Sequence, residues 1–180
     1  MVYVLLGTGF EETEAVAPID LLRRAGVEVK TVGVNGRIIS GSHGIGIEAD
    51  VTLEEMEPAA CEMIVLPGGL KGVASIRASK TAMDALLSCW NAGKYVAAIC
   101  AGPTVLADLH IPDEKHATCY PGCETQMGKA IMVSGAAAVQ DGRLITGTSA
   151  GCAVSFGLKL IEALKGPEIA KKIADQIVIR

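Results

Sequence analysis

Short apolar runs alternate along this chain with longer segments in which apolar residues recur at helical spacing. Val2 to Leu6 and Met63 to Leu66 are unbroken apolar runs of the kind that lie buried on both faces of a sheet. Val27 to Val34 and Tyr95 to Ile99 read as further strands. A helix after the first strand ends at Leu22-Arg-Arg-Ala-Gly26, where the glycine supplies a stop. Arg37 to Leu53 carries two short extended segments around Ser40-Gly-Ser-His-Gly44, the pattern of a hairpin. Ser75 to Trp90 has helical spacing, with Ile76, Ala82, Met83, Leu86 and Leu87 on one side. Pro103 can open a helix directly after the Tyr95 strand, because its fixed φ suits a first helical turn. Thr118 to Tyr120 and Leu144 to Thr146 read as strands. Ala153 to Leu164 and Glu168 to Ile177 read as closing helices, separated by Gly166-Pro167. Strands and helices in alternation predict an α/β fold: a doubly wound, mostly parallel sheet with helices on both faces.

Composition narrows this to one domain over residues 1–180, since half of the 180 residues are apolar and no repeat or linker divides them. The net charge is -4 and no basic stripe interleaved with aromatics occurs, so neither nucleic acid nor an anionic membrane is an expected partner. No apolar run reaches the roughly 18 residues of a membrane span. The apolar start at Met1 is broken by Gly7-Thr-Gly9 and Glu11-Glu-Thr-Glu14 before it attains the length of a secretion signal. A soluble, cytoplasmic protein is the expectation, and its six cysteines are then reduced thiols rather than a disulfide framework. Cys61, Cys89 and Cys152 stand among Ala, Leu, Met and Val, as small apolar fillers do, with nothing near them in sequence to shift a thiol pKa.

In an open α/β sheet the ligand crevice lies beyond the carboxyl ends of the strands, so the residues that follow each strand are the informative ones. The first strand runs into Gly9-Phe-Glu-Glu-Thr-Glu14, the Met63 strand into Pro67-Gly-Gly69, and the Tyr95 strand into Cys100. Cys100 therefore stands at a strand-to-helix elbow, flanked by the small residues Ala98 and Gly102 that such a turn needs in order to close. Amides opening the following helix favour a charged thiol, so a depressed Cys100 pKa is expected, and the N–H groups of Gly69 and Ala101 are placed to hold an oxyanion. Gly68 belongs to the same backbone turn. The plain alternative is a buried cysteine at a helix start.

These stretches resemble the ThiJ/PfpI superfamily, and within it the DJ-one branch of the class I glutamine amidotransferase-like fold. The resemblance covers nearly the whole chain and is carried by Glu11-Glu-Thr-Glu14, Asp20-Leu-Leu-Arg-Arg-Ala-Gly26, Val65-Leu-Pro-Gly-Gly69, Ala97-Ala-Ile-Cys-Ala-Gly-Pro103 and Glu162-Ala-Leu-Lys-Gly166. It implies a flavodoxin-like α/β/α sandwich and a homodimer. It also implies a nucleophilic or oxidisable cysteine at Cys100, with a protonated carboxyl beside it at Glu14. A carboxyl next to a thiolate in a partly dry pocket has its pKa raised and can shuttle a proton; without the resemblance, Glu11, Glu12 and Glu14 all read as solvated helix-start acids.

The departures matter as much as the matches. Where many members place a histidine near the thiol, this chain has Cys119-Tyr-Pro121, and where peptidase-like members carry histidine after the nucleophile it has Ala101. The usual Cys–His pairs are missing, which argues against peptidase chemistry. His43 remains a candidate acid/base or binding group, in a segment that in family dimers reaches the other subunit's site. Tyr120 and Ser149 are candidate pocket residues. His116, Cys119 and Cys123 form an H-x2-C-x3-C group that could take a soft metal if the three converge, although a strand at 118–120 would separate them. Gly7-Thr-Gly9 imitates a dinucleotide fingerprint but lacks its third glycine and is followed by acids. No cofactor is expected. The leading expectation is a cofactor-independent deglycase or glyoxalase acting on small α-oxoaldehydes, or on glycated protein formed from them. The alternatives are a redox sensor or stress-response protein using an oxidisable Cys100, and a chaperone in which the thiol is incidental.

Overall fold

The structure is a computed structural model and describes residues 1–179. In chain order the elements are β1 (Val2–Leu6), α1 (Glu12–Arg24), β2 (Val29–Gly33), β3 (Ile38–Ser40), β4 (Gly46–Glu48), β5 (Val51–Thr52), β6 (Met63–Leu66), α2 (Leu70–Ala78), α3 (Lys80–Asn91), β7 (Tyr95–Ile99) and α4 (Pro103–Asp108). There follow β8 (His116–Ala117), β9 (Ile131–Met132), β10 (Ala138–Asp141), β11 (Leu144–Gly147), α5 (Ala153–Lys165) and α6 (Pro167–Gln176). The main sheet has seven strands in the order β10-β11-β7-β6-β1-β2-β5, all parallel except β10, which runs antiparallel to β11.

Side-chain alternation along the central strands divides the core in two. Val2, Val4, Leu6, Met63, Val65, Ala97 and Ile99 face α1, α5 and α6, whereas Tyr3, Leu5, Ile64, Leu66, Val96 and Ala98 face α2, α3 and α4. Every residue of β1 is fully buried, which is why the strand reads as an unbroken apolar run. The mostly parallel, doubly wound sandwich is therefore present as the alternation predicts, and the β3–β4 hairpin stands apart from the main sheet.

Three local expectations are corrected. The single helix over Ser75–Trp90 is two helices that meet at Ser79, whose extended backbone breaks the run and whose hydroxyl accepts the Ala82 amide at the start of α3. Thr118–Tyr120 is not a strand, because the Thr118 amide bonds the Thr146 hydroxyl at 2.9 Å and its hydroxyl lies 3.0 Å from that of Thr148. The pairing occurs just upstream instead, where β8 lies parallel to β9. The antiparallel edge strand β10 has no counterpart in the sequence reading.

Candidate functional site

The carboxyl ends of β1, β6 and β7 come together as expected. Between β7 and α4 the chain turns at Cys100, which holds φ at +64°, a left-handed conformation that costs a non-glycine residue on the order of 1–2 kcal/mol. The surroundings enforce it: the Cys100 amide donates to the Gly147 carbonyl at 3.0 Å, and its own carbonyl accepts the Tyr120 amide at 2.8 Å. The elbow also depends on Gly102, where a Cβ would fall 2.9 Å from the Ile99 carbonyl oxygen and 3.0 Å from that of Leu66. Strained positions held this firmly from both sides gather at reactive groups.

Glu14, in the first turns of α1, is 1% exposed and not the solvated acid that local sequence alone allows. Its Oε2 accepts the Gly68 amide at 2.8 Å, whereas its Oε1 is buried without a partner, alone in this among the described residues. Burial pushes its pKa up to about 7, against the opposing pull of the Cys100 thiol and the Gly68 amide. A carboxyl oxygen with no donor to meet it is better accommodated with a proton on it. Gly68 makes the approach possible, since a Cβ there would lie 2.6 Å from Glu14 Oε2 and 2.7 Å from the Cys100 Cβ.

The expected depression of the Cys100 pKa is overturned. Burial first, then the charge of Glu14 and the hydrogen bond to it, push the thiol up to about 12, although the Ala101 and Gly69 amides pull it down. Two of the three upward causes exist only while Glu14 is ionised. The two groups thus compete for one proton, and a thiolate forms most readily when Glu14 keeps it. The Ala101 and Gly69 amides face the Cys100 sulfur, whereas the Gly68 amide holds Glu14.

A cavity of about 420 Å³ opens over the thiol, with Cys100, Ala101, Gly69, His43, Lys71 and Tyr120 in its wall. His43 lines this cavity. Glu12 fixes it there: Glu12 Oε1 accepts the His43 amide at 2.6 Å, and Oε2 lies 3.0 Å from both His43 Nδ1 and the Ser42 hydroxyl. Burial would raise the Glu12 pKa, but the bonds from His43 and Ser42 outweigh it and bring it down to about 2; Glu12 in return raises that of His43. Glu11 caps α1, accepting the Glu14 amide at 2.7 Å.

Tyr120 is half-exposed in the cavity wall, but Ser149 is not part of the lining and its hydroxyl points to Cys152. His116 and Cys119 are drawn away from Cys123. The imidazole of His116 pairs with Asp141, and the Cys119 thiol points to the Tyr120 carbonyl, while Cys123 lines the cavity. Among the described residues, Glu11, Glu12 and His43 form the only group of three or more His, Cys, Asp or Glu whose ligand-type atoms all lie within 4.8 Å of one another. Sequence reasoning missed Glu12 as the partner of His43, and it missed Lys71 and Cys123 in the wall. The positions of Leu70 and Lys71, directly after Gly68-Gly69, were the available signal for one of these. Among the described residues, no helix is long and apolar enough to cross a membrane.

Known proteins are similar to this chain over nearly its whole length. Protein dj-1beta of Drosophila melanogaster is 36% identical over 178 residues, covering 98% of this chain and 95% of its own. The crystal structure of the Drosophila DJ-1beta superposes with a TM-score of 0.95 at 35% identity, covering 99% of this chain and 97% of that one. A protein named as a deglycase from Pyrococcus abyssi is 31% identical over 126 residues, or 70% of this chain and 75% of its own. The model of the DJ-1/PfpI family matches residues 1–163, which takes in the β1–α1 start with Glu14, the Gly68-Gly69 turn and the Cys100 elbow: the chain belongs to the DJ-1/PfpI family.

Proposed function

We propose that this protein is a cofactor-independent cysteine enzyme that converts small α-oxoaldehydes, or their early adducts with thiols and amines, into hydroxy acids. The observation that carries the reading is the pairing of Cys100, in the wall of a cavity able to admit a small carbonyl compound, with a buried carboxyl behind it that holds its proton to about pH 7. The Cys100 sulfur adds to the aldehyde carbon, and the carbonyl oxygen, facing the Gly69 and Ala101 amides, takes the proton of Glu14 to give a hemithioacetal. Through an enediol, the proton on the former aldehyde carbon passes to the neighbouring carbonyl carbon while the hemithioacetal hydroxyl proton passes to that carbon's oxygen, which gives a thioester. Water hydrolyses it, releasing lactate from methylglyoxal and returning the thiol.

His43, in the wall of the same cavity, is the group to which we assign the second base. Glu12 holds its Nδ1, which leaves Nε2 as the free ring nitrogen, and carboxylate-oriented imidazoles of this kind act as proton acceptors. Cys100→Ser is expected to abolish lactate formation from methylglyoxal; equal turnover by the variant overturns the mechanism. The likeness to the Pyrococcus deglycase supports the same substrate class.

A second reading rests on the unpartnered Glu14 Oε1. A protonated oxygen at this position can donate to an oxidised Cys100, which favours a sulfinate and a redox-sensing role. Mild peroxide followed by mass spectrometry separates the two readings: a sensor gains two oxygens selectively at Cys100 and shows no turnover.

A further inference from the structure

Cys61 and Cys89, which read as inert fillers, form a pair. Their sulfurs lie 3.6 Å apart although the residues are 28 positions distant in the chain, and both are almost fully buried. They line a second cavity, of about 510 Å³, whose other walls are largely apolar and include Leu53, Met56, Ile64 and Ala85. This cavity is at the opposite end of the sheet from Cys100. Cys61 immediately precedes β6 and Cys89 lies in the last turn of α3 before β7, whereas Cys100 follows the far end of β7. Five residues of strand, roughly 16 Å, separate the two ends.

The two thiols differ in a way that orders a reaction. Cys61 is favoured as a thiolate by the hydrogen bond from Cys89, and further by the N-terminal ammonium, the Met63 amide and Lys94. Cys89 is held protonated by its hydrogen bond with Cys61 and by burial, and its single S–H can turn either to the Cys61 sulfur at 3.6 Å or to the Tyr95 carbonyl at 3.4 Å. One thiol is thus poised to attack and the other to follow, as in dithiols that close to a disulfide.

We propose that Cys61 and Cys89 are a second redox site, which hydroperoxides oxidise to an intramolecular disulfide independently of Cys100. The Cys61 thiolate attacks the terminal oxygen of the hydroperoxide, the O–O bond breaks, and water or an alcohol leaves with a proton from solvent. Cys61 is then a sulfenic acid. The Cys89 sulfur attacks the Cys61 sulfur, the S–O bond breaks, and a second water leaves with the Cys89 proton. Two thiols and one hydroperoxide give one disulfide, one water from the sulfenic acid, and one water or alcohol from the oxidant. The sulfurs need to close from 3.6 Å to the roughly 2.05 Å of the bond, and Cys61 lies in the loop before β6, where the chain can shift.

The test is peptide mapping of the full-length C100S variant after exposure to hydrogen peroxide, with free thiols alkylated before digestion. Trypsin places Cys61 alone in the peptide Ile38–Lys71 and Cys89 alone in Thr81–Lys94. The expected product is these two peptides joined, lighter than their sum by two hydrogens, and absent after reduction. In C100S/C89S, Cys61 is expected to yield a sulfenic acid trapped by dimedone. Recovery of both peptides alkylated and unlinked, at peroxide levels that oxidise Cys100 in the unaltered protein, overturns the proposal. Linkage of either cysteine to a different partner overturns it equally. Because the C100S background lacks the catalytic thiol, neither result bears on the carbonyl chemistry proposed above.

Discussion

Replacing Glu14 by Gln tests the proton-holding carboxyl directly, because glutamine keeps the shape and an acceptor for the Gly68 amide while removing the titration. In the folded protein Glu14 takes up its proton at about 7, against 4.5 for the ordinary group. A carboxyl whose folded pKa is raised binds more protons in the native than in the unfolded state. Its stabilising contribution is therefore complete below about 4.5 and is lost as pH rises through about 7. At roughly 1.4 kcal/mol per unit, this single group lowers the stability of the unaltered protein by about 2.5 kcal/mol between about pH 5 and pH 8. Glu14 is 1% exposed, so solvent screening takes little from this figure. Urea unfolding of both proteins across that range measures it, with the difference in pH dependence, rather than the level at any one pH, as the readout. Titrating groups that do not interact with Glu14 act alike in both proteins and cancel, and Cys100, pushed up to about 12 in the unaltered protein, is followed separately. Glu14→Gln is expected to lack the decline, and its Cys100 thiol, freed of the neighbouring charge, is expected to ionise at lower pH by thiolate absorbance. Curves that stay parallel within about 0.5 kcal/mol, or a thiol pKa that does not fall, refute the shared-proton account.

Three further outcomes are expected. Glu12→Gln removes the partner that raises His43, so the His43 ring proton should titrate at lower pH by NMR and the matching limb of the pH–rate profile should move with it; an unmoved titration disproves the Glu12–His43 coupling. Gly68→Ala places a methyl group between Glu14 and Cys100, which should cost about 1–3 kcal/mol of stability through overpacking and remove methylglyoxal turnover. A fully active variant would show that the close approach of the two groups is dispensable. Thr146→Val leaves the buried Thr118 amide without its acceptor, at a cost of about 1–3 kcal/mol in chemical denaturation, and a neutral effect contradicts that accounting.

The parts of this fold that could be read from sequence are those where one physical demand acts alone. β1 and β6 are apolar throughout because both of their faces are buried, and the closing helices are marked by a Gly-Pro punctuation between them. The Cys100 elbow was legible because a left-handed turn at that position requires small neighbours. Ser79 shows the limit: one polar residue inside a helical pattern can be a solvated position or a cap, and only the packing of α2 against α3 decides. Thr118 fails in the same way, since its β-branched character argued for a strand while its hydrogen-bonding partners arrive from β11 and the segment after it. For the site, the resemblance located Glu14, but the direction of the Cys100 pKa was misread. Helix-start amides are visible in the sequence, whereas the burial and the facing carboxyl that outweigh them are products of the β7-β6-β1 order. The Cys61–Cys89 pair was invisible for the same reason: nothing local brings together a loop and a helix end.

The edges of the sheet bear on how this chain meets other copies of itself. An open strand edge is a template for pairing with a neighbouring molecule, and proteins blunt such edges with short strands and covering segments. One edge here is β5, only two residues long, which offers too little backbone for another strand to extend. At the other edge Asp141, the last residue of β10, accepts the His116 amide at 2.9 Å and so ties β8 beside that strand. Both flanks of the sheet are thereby guarded against runaway strand addition.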